Sequence, residues 1–218
     1  FPFMGTSCCF SWKMMVRKKF PDINEYISES STPMIYTGLQ LKKQDPNCEI
    51  TFIGPCISKK LEALEPEVAE IIDFVITYEE LLGMFLAKGI EPSEIEVDEV
   101  MMDASETGRY YAVGGGVAEA VVKRAQEIRP GIEVDVEAAD GLANCVKLAQ
   151  MAKLGRMDGK LIEGMACQGG CVGGPGVVIA DNKTAKAVKA FSKASDFKSP
   201  ADNIHIPAED RPNDDLLK

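Results

Sequence analysis

Five of the seven cysteines fall in three short segments: Thr6-Ser7-Cys8-Cys9, Gly54-Pro55-Cys56-Ile57-Ser58-Lys59-Lys60, and Glu163-Gly164-Met165-Ala166-Cys167-Gln168-Gly169-Gly170-Cys171-Val172-Gly173-Gly174. Thiolate is the ligand that iron–sulfur clusters use, and four thiolates complete one cubane. A zinc knuckle is a poor match. No second close pair accompanies Cys167 and Cys171, and the single histidine, His205, lies in the C-terminal tail. An odd cysteine count, with no secretory signal and enough chain for a real core, argues for reduced thiols over a disulfide framework.

Neighbouring side chains diverge along any backbone, so Cys8 and Cys9 are poorly placed to bind the same iron. One of them can be a ligand while the other stays a free thiol. Beside a charged cluster, such a thiol can move from a pKa of ~8.5 towards neutrality, which suits it to passing protons. Between and behind Cys167 and Cys171, glycines let the backbone bend and approach a bulky group. Lys59, three residues after Cys56, could set an ammonium against an anionic ligand, as a buried lysine requires. On composition alone Lys59 reads as a solvated lysine at a helix start, and Glu62 as a first-turn carboxylate facing the helix dipole. Cys48 and Cys145 lack such flanks and read as small buried residues. Gly114-Gly115-Gly116 could bind an anion through backbone N–H groups, but it is not a Walker motif and reads first as a plain tight turn. Met14, Met15, Met101 and Met102 read as core.

The elements that must position these thiols alternate between strand and helix. Helices are expected over 12–20, 26–43, 78–88, 117–128, 141–154 and 184–191, and strands over 49–54, the apolar run 71–76 within 68–77, 132–138 and 161–165. The stretch from Glu91 to Thr107 reads as an acidic surface connection, and the chain beyond Asp181 as a terminal helix followed by a mobile tail to residue 218. Such alternation predicts an α/β fold with a largely parallel sheet flanked by helices. Ligands then gather at the C-terminal ends of the strands. Cys56 and Cys167 both follow strands directly.

A chain of 218 residues, 45% hydrophobic and 27% charged, can bury one core or two small lobes around a cleft. Its net charge of −10 argues against nucleic acid or an anionic membrane as partner. No apolar run is long enough for a membrane span and no leader pattern opens the chain, so a cytoplasmic setting is expected. A cysteine motif only five residues from the start suggests a fragment or one part of a split protein.

Together the three segments resemble the active-site signatures of the iron-only (FeFe) hydrogenases. The family's Thr-Ser-Cys-Cys-Pro is matched by Thr6-Ser7-Cys8-Cys9, and its Pro-Cys-x-x-Lys-x-x-Glu by Pro55-Cys56-Ile57-Ser58-Lys59-Lys60-Leu61-Glu62. Its Met-Ala-Cys-x-x-Gly-Cys is matched by Met165-Ala166-Cys167-Gln168-Gly169-Gly170-Cys171. Weaker likeness covers 73–81 and 115–120, and the order of the segments is the family's. The resemblance implies a two-lobed catalytic domain with the cluster in its cleft. The cofactor would be a 4Fe–4S cubane held by Cys9, Cys56, Cys167 and Cys171. Through Cys171 the cubane would join a two-iron unit carrying CO, cyanide and a bridging dithiolate amine (the H-cluster). Cys8 would shuttle protons, Lys59 would hydrogen-bond a cyanide, and Ser28 and Glu62 would lie near the proton route or the site. The implied reaction is reversible reduction of protons to dihydrogen, oxygen-sensitive and typical of an anaerobe's hydrogen metabolism.

The same resemblance implies that residues 1–218 are the C-terminal portion of the catalytic domain, with its N-terminal part as a missing partner. A ferredoxin or redox subunit and dedicated maturation proteins would be the other partners. The chain alone is expected to be inactive, and the group need not be loaded in it. Phe10-Ser11 stands where the family has Pro-Gly, Gly54 where a methionine commonly precedes Pro-Cys, and Pro175 follows Gly173-Gly174 in place of a third glycine. These differences mark a divergent branch. Competing readings are a non-catalytic iron–sulfur protein for sensing, electron transfer or cluster assembly, and an acidic α/β binding domain with incidental thiols.

Overall fold

The computed structural model describes residues 2–96, 104–179 and 181–202. In chain order the elements are β1 (Met4–Gly5), α1 (Phe10–Lys19), α2 (Pro33–Gln44), β2 (Thr51–Gly54), α3 (Ser58–Glu62), α4 (Pro66–Ala69) and β3 (Phe74–Thr77). They continue as α5 (Tyr78–Ala87), α6 (Glu106–Tyr110), α7 (Gly116–Ile128), β4 (Asp135–Asp140), α8 (Leu142–Lys153), β5 (Lys160–Met165) and α9 (Asp181–Lys193). Among the described residues all strand pairings are parallel, with one sheet ordered β1-β5-β4 and a separate pair β2-β3. The expected α/β class with flanked parallel sheets is what forms.

The first sheet is built around β5, whose residues from Leu161 to Met165 are all buried. Trp12, Val16, Phe20, Ile23 and Ile27 pack on it with Cys145, Leu148 and Ala149 of α8. Trp12 is fully buried, and its indole N–H donates to the Thr6 carbonyl at 3.0 Å, fixing α1 against the loop after β1. That packing needs Gly164, because a Cβ there would lie 2.2 Å from the indole ring. A smaller core of Met34, Ile50, Val68 and Ile72 supports the β2-β3 pair.

Boundaries moved where short apolar runs were ambiguous. Of the 68–77 run only Phe74–Thr77 is strand, while Pro66 opens a helix that takes in Val68. The Asp73 carboxylate accepts the Ile50 N–H at 2.7 Å and sets where pairing starts. The helix expected from Tyr26 begins at Pro33, because Pro21–Tyr26 forms a 3₁₀ turn. The strand expected over 132–138 lies at Asp135–Asp140, since Ile132 closes a turn onto the Arg129 carbonyl. Strand β1 and helix α6 were not anticipated. Part of the expected 91–107 connection is ordered, as a 3₁₀ turn at Pro92–Glu94 and the start of α6. Met15 is buried in the main core, whereas Met14 is only half-buried and lines a cavity. Met101, Met102, His205 and the tail beyond residue 202 lie outside the described residues.

Gly164→Ala is expected to destabilise the fold by about 1–3 kcal/mol through overpacking against Trp12. Chemical denaturation checks this; an unchanged midpoint would mean that the indole is not held where the core places it.

Candidate metal centre

All three cysteine segments leave the C-terminal ends of parallel strands. The first leaves β1, and Thr6 continues the pairing by donating to the Ile162 carbonyl at 2.9 Å. Cys9 is the residue before α1, in an extended conformation. Its sulfur accepts the Ala166 N–H at 3.4 Å across a separation of 157 residues, joining the first segment to the third. The second segment follows β2, where Cys56 precedes α3 and its sulfur lies 3.2 Å from the Ser58 hydroxyl. The Pro55 carbonyl accepts the Gly176 N–H at 2.9 Å, so the second segment also meets the chain after the third. A Cβ on Gly174 would come within 2.7 Å of that carbonyl.

The third segment leaves β5 and turns at Gly170, whose φ of +92° is left-handed. A Cβ there would strike the Gly114 nitrogen at 2.5 Å, so a glycine is needed for the approach. Gly114 donates to the Gly169 carbonyl at 3.0 Å and Val172 to Ala112 at 3.1 Å, tying the loop down. Cys171 then opens a 3₁₀ turn.

The five thiols influence one another electrostatically. Burial pushes the Cys171 thiol up to about 12, reinforced by Cys56, Cys9, Cys8 and Cys167. Cys167 is raised by burial and then by Cys56 and Cys9. Cys8 is pushed up to about 12 by burial, then by Glu163 and Cys9, while the Lys59 ammonium pulls the other way. Among the chain's own groups, desolvation outweighs the nearby cation at Cys8. Cys145, the fully buried residue expected, donates its S–H to the Met165 carbonyl at 3.3 Å. Cys48 packs at the edge of the smaller core. All seven cysteines are free.

Lys59 and Glu62 are both buried and form an ion pair within α3. The solvated-lysine reading is overturned, and so is the first-turn placement of Glu62, which ends its helix. Ser28 shares the wall of a cavity of about 410 Å³ with Cys8. It also lines a cavity of about 590 Å³ with Glu62.

Sequence reasoning missed Glu163. It is 1% exposed, and its carboxylate accepts the Gly115 N–H at 2.7 Å and the Ala118 N–H at 2.6 Å. The three-glycine turn does bind an anion at the start of α7, and the anion is the protein's own side chain. Burial still leaves the Glu163 pKa raised, against those N–H donors. A carboxylate inside an otherwise apolar strand was the signal that could have found it.

The family model described as iron only hydrogenase large subunit, C-terminal domain, matches residues 2–175. The chain belongs to that family. This family member is 29% identical to the periplasmic Fe hydrogenase large subunit of Nitratidesulfovibrio vulgaris, over 86% of this chain and 56% of that protein. It is 27% identical to iron hydrogenase 1 of Clostridium pasteurianum, over 79% of this chain and 37% of that protein. It is also 26% identical to the cytosolic Fe-S cluster assembly factor narfl of Xenopus tropicalis, over 84% and 48%. A solved FeFe-hydrogenase HydA1 variant from Chlamydomonas reinhardtii shares the fold, with a TM-score of 0.70, 22% identity and coverage of 92% of this chain and 69% of that one. The hydrogenase-family chain thus spans only part of the curated relatives it matches.

Among the described residues no three His, Cys, Asp or Glu side chains could hold a single metal ion. A cubane asks for something else: four separate irons, each with its own thiolate. Cys9, Cys56, Cys167 and Cys171, half-buried and electrostatically coupled at Cys171, fit that demand.

Two outcomes test the site in the iron-free chain. Lys59→Met is expected to destabilise it by about 3–5 kcal/mol by stranding a buried carboxylate, and adding Glu62→Leu should recover most of the loss; no recovery would mean the pair is not coupled. Cys8 and Cys171 hold their protons to a pKa of about 12 when folded, against an ordinary 9.0. The folded form binds more protons in that window, so melting temperature should fall as pH rises from about 9 towards 12. Cys8→Ser should flatten the fall; an unaltered slope would contradict it.

Proposed function

We propose that this chain is the C-terminal portion of an iron-only hydrogenase catalytic domain. In it, Cys9, Cys56, Cys167 and Cys171 would hold a 4Fe–4S cubane, with Cys171 linking it to a two-iron unit. The observation that carries this reading is the convergence of five thiols while Cys8 shares a cavity wall with Ser28 and feels the charge of Lys59. When bound, the iron group supplies the redox chemistry that combines two protons and two electrons into dihydrogen.

The chain's own residues place that group and manage protons. Cys8 keeps its proton at neutral pH and so can donate one towards the cleft. Ser28 offers a hydroxyl on the cavity that Cys8 lines, and its oxygen accepts the Ser30 N–H at 3.2 Å. Glu62, beside the larger cavity, holds Lys59 in place. The Lys59 ammonium favours an anionic ligand such as cyanide in a site with low exposure to water. Thr6, Ser7 and Val172 on the cysteine loops are buried.

The β2-β3 pair supports the view that more polypeptide completes the domain. A two-stranded parallel sheet is marginal alone, since parallel sheets are normally covered on both faces. Here Ile53 and Phe74 are exposed, and no residue of the apolar helix α5 is buried. We take the missing cover to be the N-terminal part of the domain, and electron carriers and maturation proteins to be the remaining partners. No helix among the described residues is long and apolar enough to cross a membrane; cytoplasmic placement is part of the proposal. The likeness to narfl favours a second reading, a non-catalytic iron–sulfur protein that binds only a cubane.

Infrared spectra of the matured, complete protein separate the two readings. The hydrogenase should show bands of metal-bound CO and cyanide and evolve dihydrogen, with Cys8→Ser keeping the bands but losing at least about a hundredfold in rate. Loaded cubane with no such bands would establish the second reading. The isolated chain is expected to give no turnover; robust hydrogen evolution from it would show the missing part to be dispensable.

A further inference from the structure

Cys145 is the one cysteine of the seven that is fully buried, and the hydrogenase reading leaves it unused. It lies near the start of α8, in the core that also holds Trp12, Leu148 and Ile162, and Cys9 packs against that same core. Its sulfur donates to the Met165 carbonyl at 3.3 Å, closer than the Ala139 carbonyl at 3.5 Å. Met165 and Ala166 share a peptide bond, and the N–H at its other end donates to the Cys9 sulfur at 3.4 Å. One planar amide therefore stands between a buried thiol on α8 and the thiol that precedes α1.

A donor on a carbonyl draws electron density across the conjugated amide and makes its N–H a better donor, as in any hydrogen-bond chain at low dielectric. It also fixes the plane of the peptide, and with it the direction of the N–H. Met165 is the last residue of β5, so this amide lies where the strand gives way to the Cys167 loop. We propose that Cys145 is a positioning residue for the metal centre: its S–H holds the Met165–Ala166 peptide with the amide N–H aimed at the Cys9 sulfur. The two hydrogen bonds stand on the structure; that Cys9 carries iron rests on the proposed cluster site.

Hydrogen bonds to a ligating sulfur stabilise the cluster state that carries more negative charge, and so raise the reduction potential. Cys145 acts on the ligand at one remove, through the peptide. A thiol suits this place. It is small and apolar enough for the core, and burial makes it hold the proton that it donates. An alanine would leave the Met165 carbonyl without this donor. A serine would keep a donor there, at the cost of burying a hydroxyl.

Two measurements test this. In the iron-free, isotope-labelled chain, NMR follows exchange of the Ala166 amide with solvent. Cys145→Ala should speed that exchange at least about fivefold relative to the Ile162 amide of the same strand, and Cys145→Ser should keep it within about twofold. In the chain loaded anaerobically with iron and sulfide, a dithionite titration followed by electron paramagnetic resonance adds one electron to each cubane. Cys145→Ala should lower the reduction equilibrium constant about twofold, which is about 18 mV at about 59 mV per tenfold. Cys145→Ser should hold the wild-type potential. Leu148→Ala, a truncation in the same core, should lower the melting temperature and leave the potential where it was. Cys145→Val takes the place of the alanine should that variant fail to fold. Unchanged Ala166 exchange, an unmoved potential, or an equal shift from Cys145→Ser or Leu148→Ala would overturn the proposal. A wild-type chain that gains no cysteine-dependent absorbance on loading would instead condemn the cluster reading, and the metal role with it. The exchange measurement would still show whether Cys145 holds the peptide, so the two failures are told apart.

Discussion

Burying several thiols together has a cost that an apolar core does not remove. Each sulfur drawn away from water must stay protonated or find a cation, and each neighbouring thiolate makes the next harder to form. Around Cys8, Cys9, Cys56, Cys167 and Cys171 this constraint is visible in the upward shifts of Cys8, Cys167 and Cys171. In the proposed reading iron would resolve it, because a coordinated thiolate has its charge balanced by the metal. Of the charged groups nearby, Lys59, paired with Glu62, is the one that opposes the rise at Cys8.

The fold meets the demand through strand polarity. Parallel pairing puts the C-terminal ends of neighbouring strands on one edge, so loops after β1 and β5 leave side by side. The second sheet delivers Cys56, and Gly174 and Gly176 press against the Pro55 carbonyl. Trp12 and Gly164 lock helix and strand behind the first and third segments, and Glu163 fastens the start of α7 beside Cys8. These contacts bridge wide sequence separations, which is why the site depends on the whole described core.

Much of this was legible in the sequence. The runs before Cys56 and Cys167 are long and apolar enough to read as strands, and the glycines after Cys167 announced a loop bent around something bulky. Convergence itself was not legible from spacing, because the Cys9–Ala166 contact joins residues far apart in the chain. Strand β1 has only two residues and no periodicity to detect. The burial of Lys59 was hidden because its partner, Glu62, lies on the same short helix and each residue alone looks like surface. The three-glycine turn was read with an external anion in mind, whereas Glu163 reaches it from across the sheet.

The central claim is a division of labour among neighbouring sulfurs, and differential alkylation tests it most directly. The chain would be loaded anaerobically with iron and sulfide, labelled with a thiol reagent, and mapped by mass spectrometry against the unloaded chain. Protection on loading is predicted at Cys9, Cys56, Cys167 and Cys171, with Cys8 still open to the reagent. Protection of Cys8 in place of Cys9, or of cysteines outside the three segments, would contradict the account.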